Sequence, residues 1–206
     1  RRGDRRACDY IQWAIRNHQD SMDVVSRLSR KAGLSCHAGL RMNLFFQPDS
    51  MGGSLPEFLN GAFWREHPEF RNPGRPQLDY ARPEVRRYIL SILMELAENF
   101  DVDGLSLDFT RWPPIADPKR HSPDVLTSFI GETRRQLDAV GRRKGRRLAL
   151  SAAVVDGYHA KVGLAEQRID LEAWIASGWL DFVCVQAWDH SRYLAAAKRK
   201  GVPYYA

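Results

Sequence analysis

Apolar runs of strand length alternate with segments of helical periodicity along most of this 206-residue chain. Five strands are predicted, at residues 34–43, 102–109, 148–155, 181–188 and 202–205. Helices are predicted at residues 1–18, 21–32, 83–100, 122–140, 170–178 and 191–200. This alternation predicts a parallel sheet with right-handed crossovers, because a strand can join a parallel neighbour only through a long connection.

The connections that leave the predicted strands are longer than those that enter them. Residues 44–82, 110–122 and 156–169 follow strands, whereas the turns from helices into strands have two to four residues. Long connections at one edge are typical of the functional face of a (β/α) barrel. A doubly wound sheet also fits the alternation, but the chain has no GxGxxG, P-loop or GxSxG motif.

Five strands cannot close an eight-stranded barrel. We therefore predict an α/β fold, a (β/α)8 TIM barrel of which residues 1–206 form a single, partial domain covering about five strands. The 44–82 connection is rich in aromatic residues, and we expect it to pack down as a lid.

Composition excludes several classes of protein. The net charge is +6, and the most basic run, residues 142–147, lies at a predicted helix end, where cations are favourable. No nucleic-acid motif, signal peptide or apolar run of membrane-spanning length occurs, so neither nucleic acid nor a membrane span is predicted. The three cysteines lack CxxC spacing and the six histidines form no HExxH pair, so no metal or cofactor is predicted.

The run from Val102 to Pro114 places Asp108 and Arg111 at the end of a buried strand, just before two prolines. A carboxylate in this position needs a partner or a function. One interpretation is an ion pair between Asp108 and Arg111. The other is catalysis at the carboxyl edge of a parallel sheet, where α/β proteins place their active sites.

Carboxylates, planar polar groups and aromatic rings follow all four longer strands. They are Arg41 and Asn43, then Asp108, Arg111 and Trp112, then Asp156, Tyr158 and His159, then Gln186, Trp188 and Asp189. Aromatic faces stack on sugar rings, polar groups meet the hydroxyls, and two carboxyl groups divide the work of glycosidic cleavage. We therefore expect a carbohydrate substrate, with the three aspartates as catalytic candidates and the other residues as substrate-binding candidates.

Several of these segments together resemble a known family. Residues 79–86 (DYARPEVR), 102–113 (VDGLSLDFTRWP), 64–70 (WREHPEF) and 148–151 (LALS) are similar to glycosyl hydrolase-like barrel proteins of the "family 10 glycosylhydrolase" type. The resemblance implies a TIM barrel that acts on or binds polysaccharide, with Asp108 catalytic, and it favours a secreted or periplasmic location. The chain departs from the family at Phe70, where members carry Trp, and at Ser106, where members often carry a polar or acidic group.

The second carboxylate stays open between Asp189 and Asp156. Several sugar-cleaving barrels place nucleophile and acid two strands apart, which favours Asp189. Arg41 and Arg111 are expected to keep Asp108 charged. The alternative function is a non-catalytic carbohydrate-binding barrel, which a single isolated acid would favour over two acids about 5 to 10 Å apart.

Overall fold

The computed structural model describes residues 2–17, 19–42, 61–111, 121–157 and 163–206. The helices are α1 (Arg2–Arg16), α2 (Ser21–Lys31), α3 (Ala62–Glu66), α4 (Pro83–Asn99), α5 (Asp124–Arg143), α6 (Leu171–Ala176) and α7 (Ser191–Lys200), with a 3-10 turn at Pro68–Phe70. The strands are β1 (His37–Arg41), β2 (Gly104–Asp108), β3 (Ala149–Asp156), β4 (Phe182–Ala187) and β5 (Tyr204–Tyr205).

The five strands form one parallel sheet in the order β1-β2-β3-β4-β5. This confirms the predicted alternation and all five predicted strands, although each observed strand is shorter than or equal to its apolar run. Helix α3 and the 3-10 turn were not predicted, because elements of five and three residues are too short to show helical periodicity. None of the described helices combines the length and the apolar character that crossing a bilayer requires.

The sheet is strongly curved, and one ring contact demonstrates it. Neighbouring strands are about 4.8 Å apart, so β1 and β4 would lie about 14 Å apart in a flat sheet. The rings of His37 on β1 and Phe182 on β4 nevertheless have centroids only 5.3 Å apart. Both side chains therefore project from the concave face, and the sheet is wound as in a barrel rather than spread as in a doubly wound fold.

The convex face of the sheet carries the hydrophobic core. Leu105, Leu107, Leu150 and Val183 are fully buried there. Apolar stripes of α4, α5 and α6 cover them, and Trp174 of α6 contacts Phe109 with ring centroids 5.6 Å apart. Because side chains alternate between faces along a strand, the residues between these positions point into the concave side.

Ion pairs cover the amino edge of the sheet and account for most of the basic run at residues 142–147. Arg143 pairs with Glu98, Arg146 with Asp101 at 2.6 Å, and Arg147 with Asp181 at 2.9 Å. These arginines therefore pair with acids of the same chain, and these ion pairs explain the cluster of basic residues at 142–147 without an anionic partner.

The described part of the 44–82 connection packs against the body of the protein. The ring of Phe63 stacks on Tyr88 of α4 at 3.9 Å, and Trp64 is 5% exposed. The hydroxyl of Tyr80 donates to the backbone oxygen of Met42 at 2.7 Å. This segment is thereby fixed to the carboxyl end of β1.

Candidate functional site

Asp108 ends β2 on the concave face, because it alternates with the buried Leu107 and Phe109. Its side chain is 25% exposed. Its Oδ1 accepts hydrogen bonds from the backbone N–H of Thr110 at 2.9 Å and from the Thr110 hydroxyl at 2.6 Å. Its Oδ2 accepts from Nε of Arg41 at 3.2 Å. Three donors therefore converge on this carboxylate.

Of the two arginines expected beside Asp108, Arg41 is its ion-pair partner and Arg111 is not. Arg41 on β1 is directly opposite Asp108 in the strand register, so both side chains leave the same face. Arg111 lies beyond the strand end and is exposed, and within the described residues no hydrogen bond or ion pair joins it to Asp108. The expected contact between Arg111 and Asp108 is therefore absent from the described part of the chain.

Gln186 lies on the concave face near the carboxyl end of β4, and Trp188 directly follows that strand. Gln186 is four residues beyond Phe182, just as Arg41 is four residues beyond His37, so both keep the concave orientation of that contacting pair. Gln186 is exposed, and Trp188, directly after β4, is 78% exposed. An exposed amide thus lies on the concave face near the carboxyl end of β4, and an exposed ring follows two residues later.

Asp156 lies on the opposite face of the sheet from Asp108. The register partner of Asp108 on β3 is Ala153, and a step of three residues along a strand changes the face. Tyr193 of α7 donates its hydroxyl to Asp156, and the backbone N–H of Leu164 donates to the other oxygen at 2.9 Å. Burial and this carboxylate raise the pKa of Tyr193 well above its usual value. Asp156 therefore anchors the connection after β3 to α7.

Asp189 is exposed and lies two residues before Ser191, the first residue of α7. Its Oδ1 accepts from the backbone N–H of Ser191 at 2.8 Å, and the hydrogen bonds from Ser191 hold the pKa of Asp189 below its usual value. A carboxyl group with a lowered pKa is charged at neutral pH and has no proton to donate.

Four candidates lie outside the described residues: Asn43, Trp112, Tyr158 and His159. Conversely, the structure adds Thr110, which the sequence analysis missed. Its signal was the Asp-x-Thr spacing, because an aspartate readily accepts hydrogen bonds from the residue two positions later. Among the described strand residues of the concave face, Asp108 is the one carboxylate.

No family model and no curated protein matches the sequence. Solved structures do match. A multi-modular cell-surface chitinase from a Paenibacillus species has 14% identity over 88% of this chain and 21% of its own, with a TM-score of 0.51. The C-terminal domain of a Desulfitobacterium hafniense protein has 14% identity over 88% of this chain and 47% of its own, also at 0.51. A family 18 N-acetylglucosaminidase from Paenibacillus barengoltzii has 18% identity over 82% of this chain and 40% of its own, with a TM-score of 0.47.

These similarities concern the fold. The chain spans less than half the length of each of the three structures. The chain is a partial (β/α) barrel. Its structural neighbours include glycoside hydrolases that are far larger than the five-stranded portion described above.

Proposed function

We propose that this chain forms part of a glycoside hydrolase and that its concave face binds a poly- or oligosaccharide. The observation that carries the proposal is Asp108, a carboxylate held by three donors at the open carboxyl edge of the sheet. Trp188 offers a face for a sugar ring, and Gln186 and the exposed part of Arg41 offer partners for hydroxyls. The resemblance to "family 10 glycosylhydrolase" proteins favours the same function.

Within this proposal Asp108 is the nucleophile or the ionised stabiliser. Hydrogen bonds from Arg41 and Thr110 fix the position of the carboxylate on the concave face, which suits either role. The oxocarbenium-like transition state is positively charged, so a fixed carboxylate on the concave face stabilises it.

The general acid must come from elsewhere. Asp156 is on the convex face, and hydrogen bonds from Ser191 lower the pKa of the exposed Asp189, so neither has the environment of a proton donor. The connections that follow β1 and β2 contain six further carboxyl groups, of which three, Asp49, Glu57 and Asp117, lie outside the described residues. We propose that one of these three is the acid.

A second function, carbohydrate binding without cleavage, is favoured by one specific observation. Asp108 is the one carboxylate among the described strand residues of the concave face, and glycosidic cleavage requires two carboxyl groups. The aromatic and amide groups at the rim serve binding equally well in either case.

The test is a screen of the protein against chitin, starch and other polysaccharides, with product analysis and a parallel binding assay. Asp108→Asn should lower turnover by about 100-fold or more, leaving binding and the melting temperature nearly unchanged. Asp156→Asn and Asp189→Asn serve as comparisons, together with substitutions of the three loop acids. Full turnover by Asp108→Asn would exclude the catalytic role, and binding without any product would establish the second function.

A further inference from the structure

Residues 70–79 form a short antiparallel hairpin between the 3-10 turn and α4. The backbone N–H of Asn72 donates to the oxygen of Gln77 at 2.8 Å, and that of Asp79 donates to the oxygen of Phe70 at 2.7 Å. In such a pair, opposed residues and residues two positions apart share a face. Asn72, Gln77 and Asp79 therefore lie on one side of the hairpin, and we call this set the hairpin face.

The hairpin face is buried and polar, with exposures of 4%, 6% and 4%. Oδ1 of Asn72 and Oε1 of Gln77 have no hydrogen-bond partner among the described residues. Buried polar atoms are almost always hydrogen-bonded, so two unpartnered oxygens on the same face point to a bound species that satisfies them.

His121, which precedes α5, meets the hairpin face at Asp79. Its Nε2 is buried without a hydrogen bond to any described residue, and it lies 3.6 Å from Oδ2 of Asp79. The other oxygen of Asp79 accepts from the backbone N–H of Ala81 at 2.9 Å. Oδ2 of Asp79 and the imidazole nitrogen thus add two more electron-pair donors to the two amide oxygens.

The separation of these two atoms favours a cation over a water molecule as the bridge. Atoms 3.6 Å apart that bind one ion at about 2.1 Å subtend an angle of about 120° at the ion, close to tetrahedral. A water hydrogen-bonded to the same two atoms at about 2.8 Å would need an angle of about 80°, which is narrow for water.

We propose that the hairpin face and His121 bind a divalent cation. One carboxylate oxygen, two amide oxygens and one imidazole nitrogen form a mixed oxygen and nitrogen set, which suits a first-row ion such as Mn²⁺ or Zn²⁺ better than Ca²⁺. The described residues contain no group of three His, Cys, Asp or Glu side chains suited to a metal, so the two amides complete this site.

The cation ties the 61–82 segment to the start of α5. Tyr80, next to Asp79, bonds to the backbone of Met42, which directly follows Arg41. The ion therefore rigidifies the segment that is hydrogen-bonded to the carboxyl end of β1, next to the Arg41–Asp108 pair. This effect does not depend on whether the protein cleaves sugars.

The test uses the tag-free, chelator-treated chain titrated with Mn²⁺ and Zn²⁺ by calorimetry, with the Mn²⁺ spectrum as a second readout. One ion should bind, and at 100 times its Kd it should raise the ratio of folded to unfolded protein about 100-fold. Asp79→Asn and His121→Gln should each weaken binding by about 10-fold or more.

The matched control is His67→Gln, because among the described residues His67 forms the other histidine–carboxylate contact, an exposed one with Glu69 at 3.0 Å. It should leave affinity unchanged. Asp79→Asn keeps a hydrogen-bond acceptor for the backbone N–H of Ala81, and circular dichroism checks that this variant folds. His121 is partly exposed and lies outside the hairpin, so His121→Gln tests the site without disturbing the hairpin. No saturable binding, or equal affinity in His121→Gln and His67→Gln, would overturn the proposal and leave a buried water as the bridge.

Discussion

Replacing Arg134 with Met should lower the free energy of unfolding by about 3 kcal/mol. The Arg134 side chain is 5% exposed and pairs with Asp181 at 3.1 Å and Asp138 at 2.6 Å. It also donates to the backbone oxygen of Leu148 at 2.9 Å, one residue before β3. Charge-assisted hydrogen bonds contribute about 1.5 to 3 kcal/mol each, and breaking a buried ion pair costs about 3 to 5 kcal/mol. Because both acids are partly exposed and stay solvated, we expect a loss near the lower end of that second range.

Chemical denaturation measures this loss, and a chain of this length should melt about 6 to 12 °C lower. The matched control is Arg147→Met. Arg147 contacts the same two acids, Asp181 and Asp138, but its side chain is 58% exposed, so its removal should cost less than about 1 kcal/mol. Equal losses for both variants, or a loss below about 1 kcal/mol for Arg134→Met, would refute the argument that burial makes this arginine important.

Two further predictions concern the ends of the strands. A Cβ at Gly104 would lie 2.4 Å from a backbone oxygen of β3, whereas at Gly39 it would meet nothing closer than 4.0 Å. Gly104→Ala should therefore destabilise by about 1 to 3 kcal/mol and Gly39→Ala by much less; similar melting temperatures would contradict the steric argument. The pKa of Asp101 is lowered, chiefly by its hydrogen bond from Arg30 and also by Arg146. A carboxyl group whose pKa is lowered in the folded state stabilises the protein at pH values above its unfolded pKa of about 3.9. This stabilisation is lost as the pH falls through the folded pKa, so Asp101→Asn should flatten the decline in melting temperature below about pH 4. If the melting temperature of Asp101→Asn fell with decreasing pH as steeply as that of the unchanged protein, the stabilising role of Asp101 would be refuted.

The positions of strands and helices were predictable because their signals are local. The run 102–109 and the helix beginning at Pro83 carry enough periodicity and enough start signals to define β2 and α4 without any knowledge of their neighbours. The residues at the strand ends follow directly, which is why Arg41, Asp108, Gln186 and Trp188 were identifiable as a group.

Arg41 and Arg111 were both expected beside Asp108, and the sequence could not decide between them. Arg111 is near Asp108 in sequence, but Arg41 is opposite it in register, and register depends on how two distant strands align. The face of the sheet from which Asp156 projects was not predictable either, for a related reason. Val154 and Val155 are both buried, so the alternation that would have revealed its orientation is absent from the hydrophobic pattern.

The sequence by itself therefore determined the alternation of elements, the parallel sheet and the set of side chains available at its carboxyl edge, since each follows from local periodicity. The tertiary structure decided the curvature that brings β1 towards β4, the pairing of Arg41 with Asp108, and the meeting of Asp79 with His121. These features join residues up to 145 positions apart, as His37 and Phe182 are (182 − 37), and only packing and register bring such residues together.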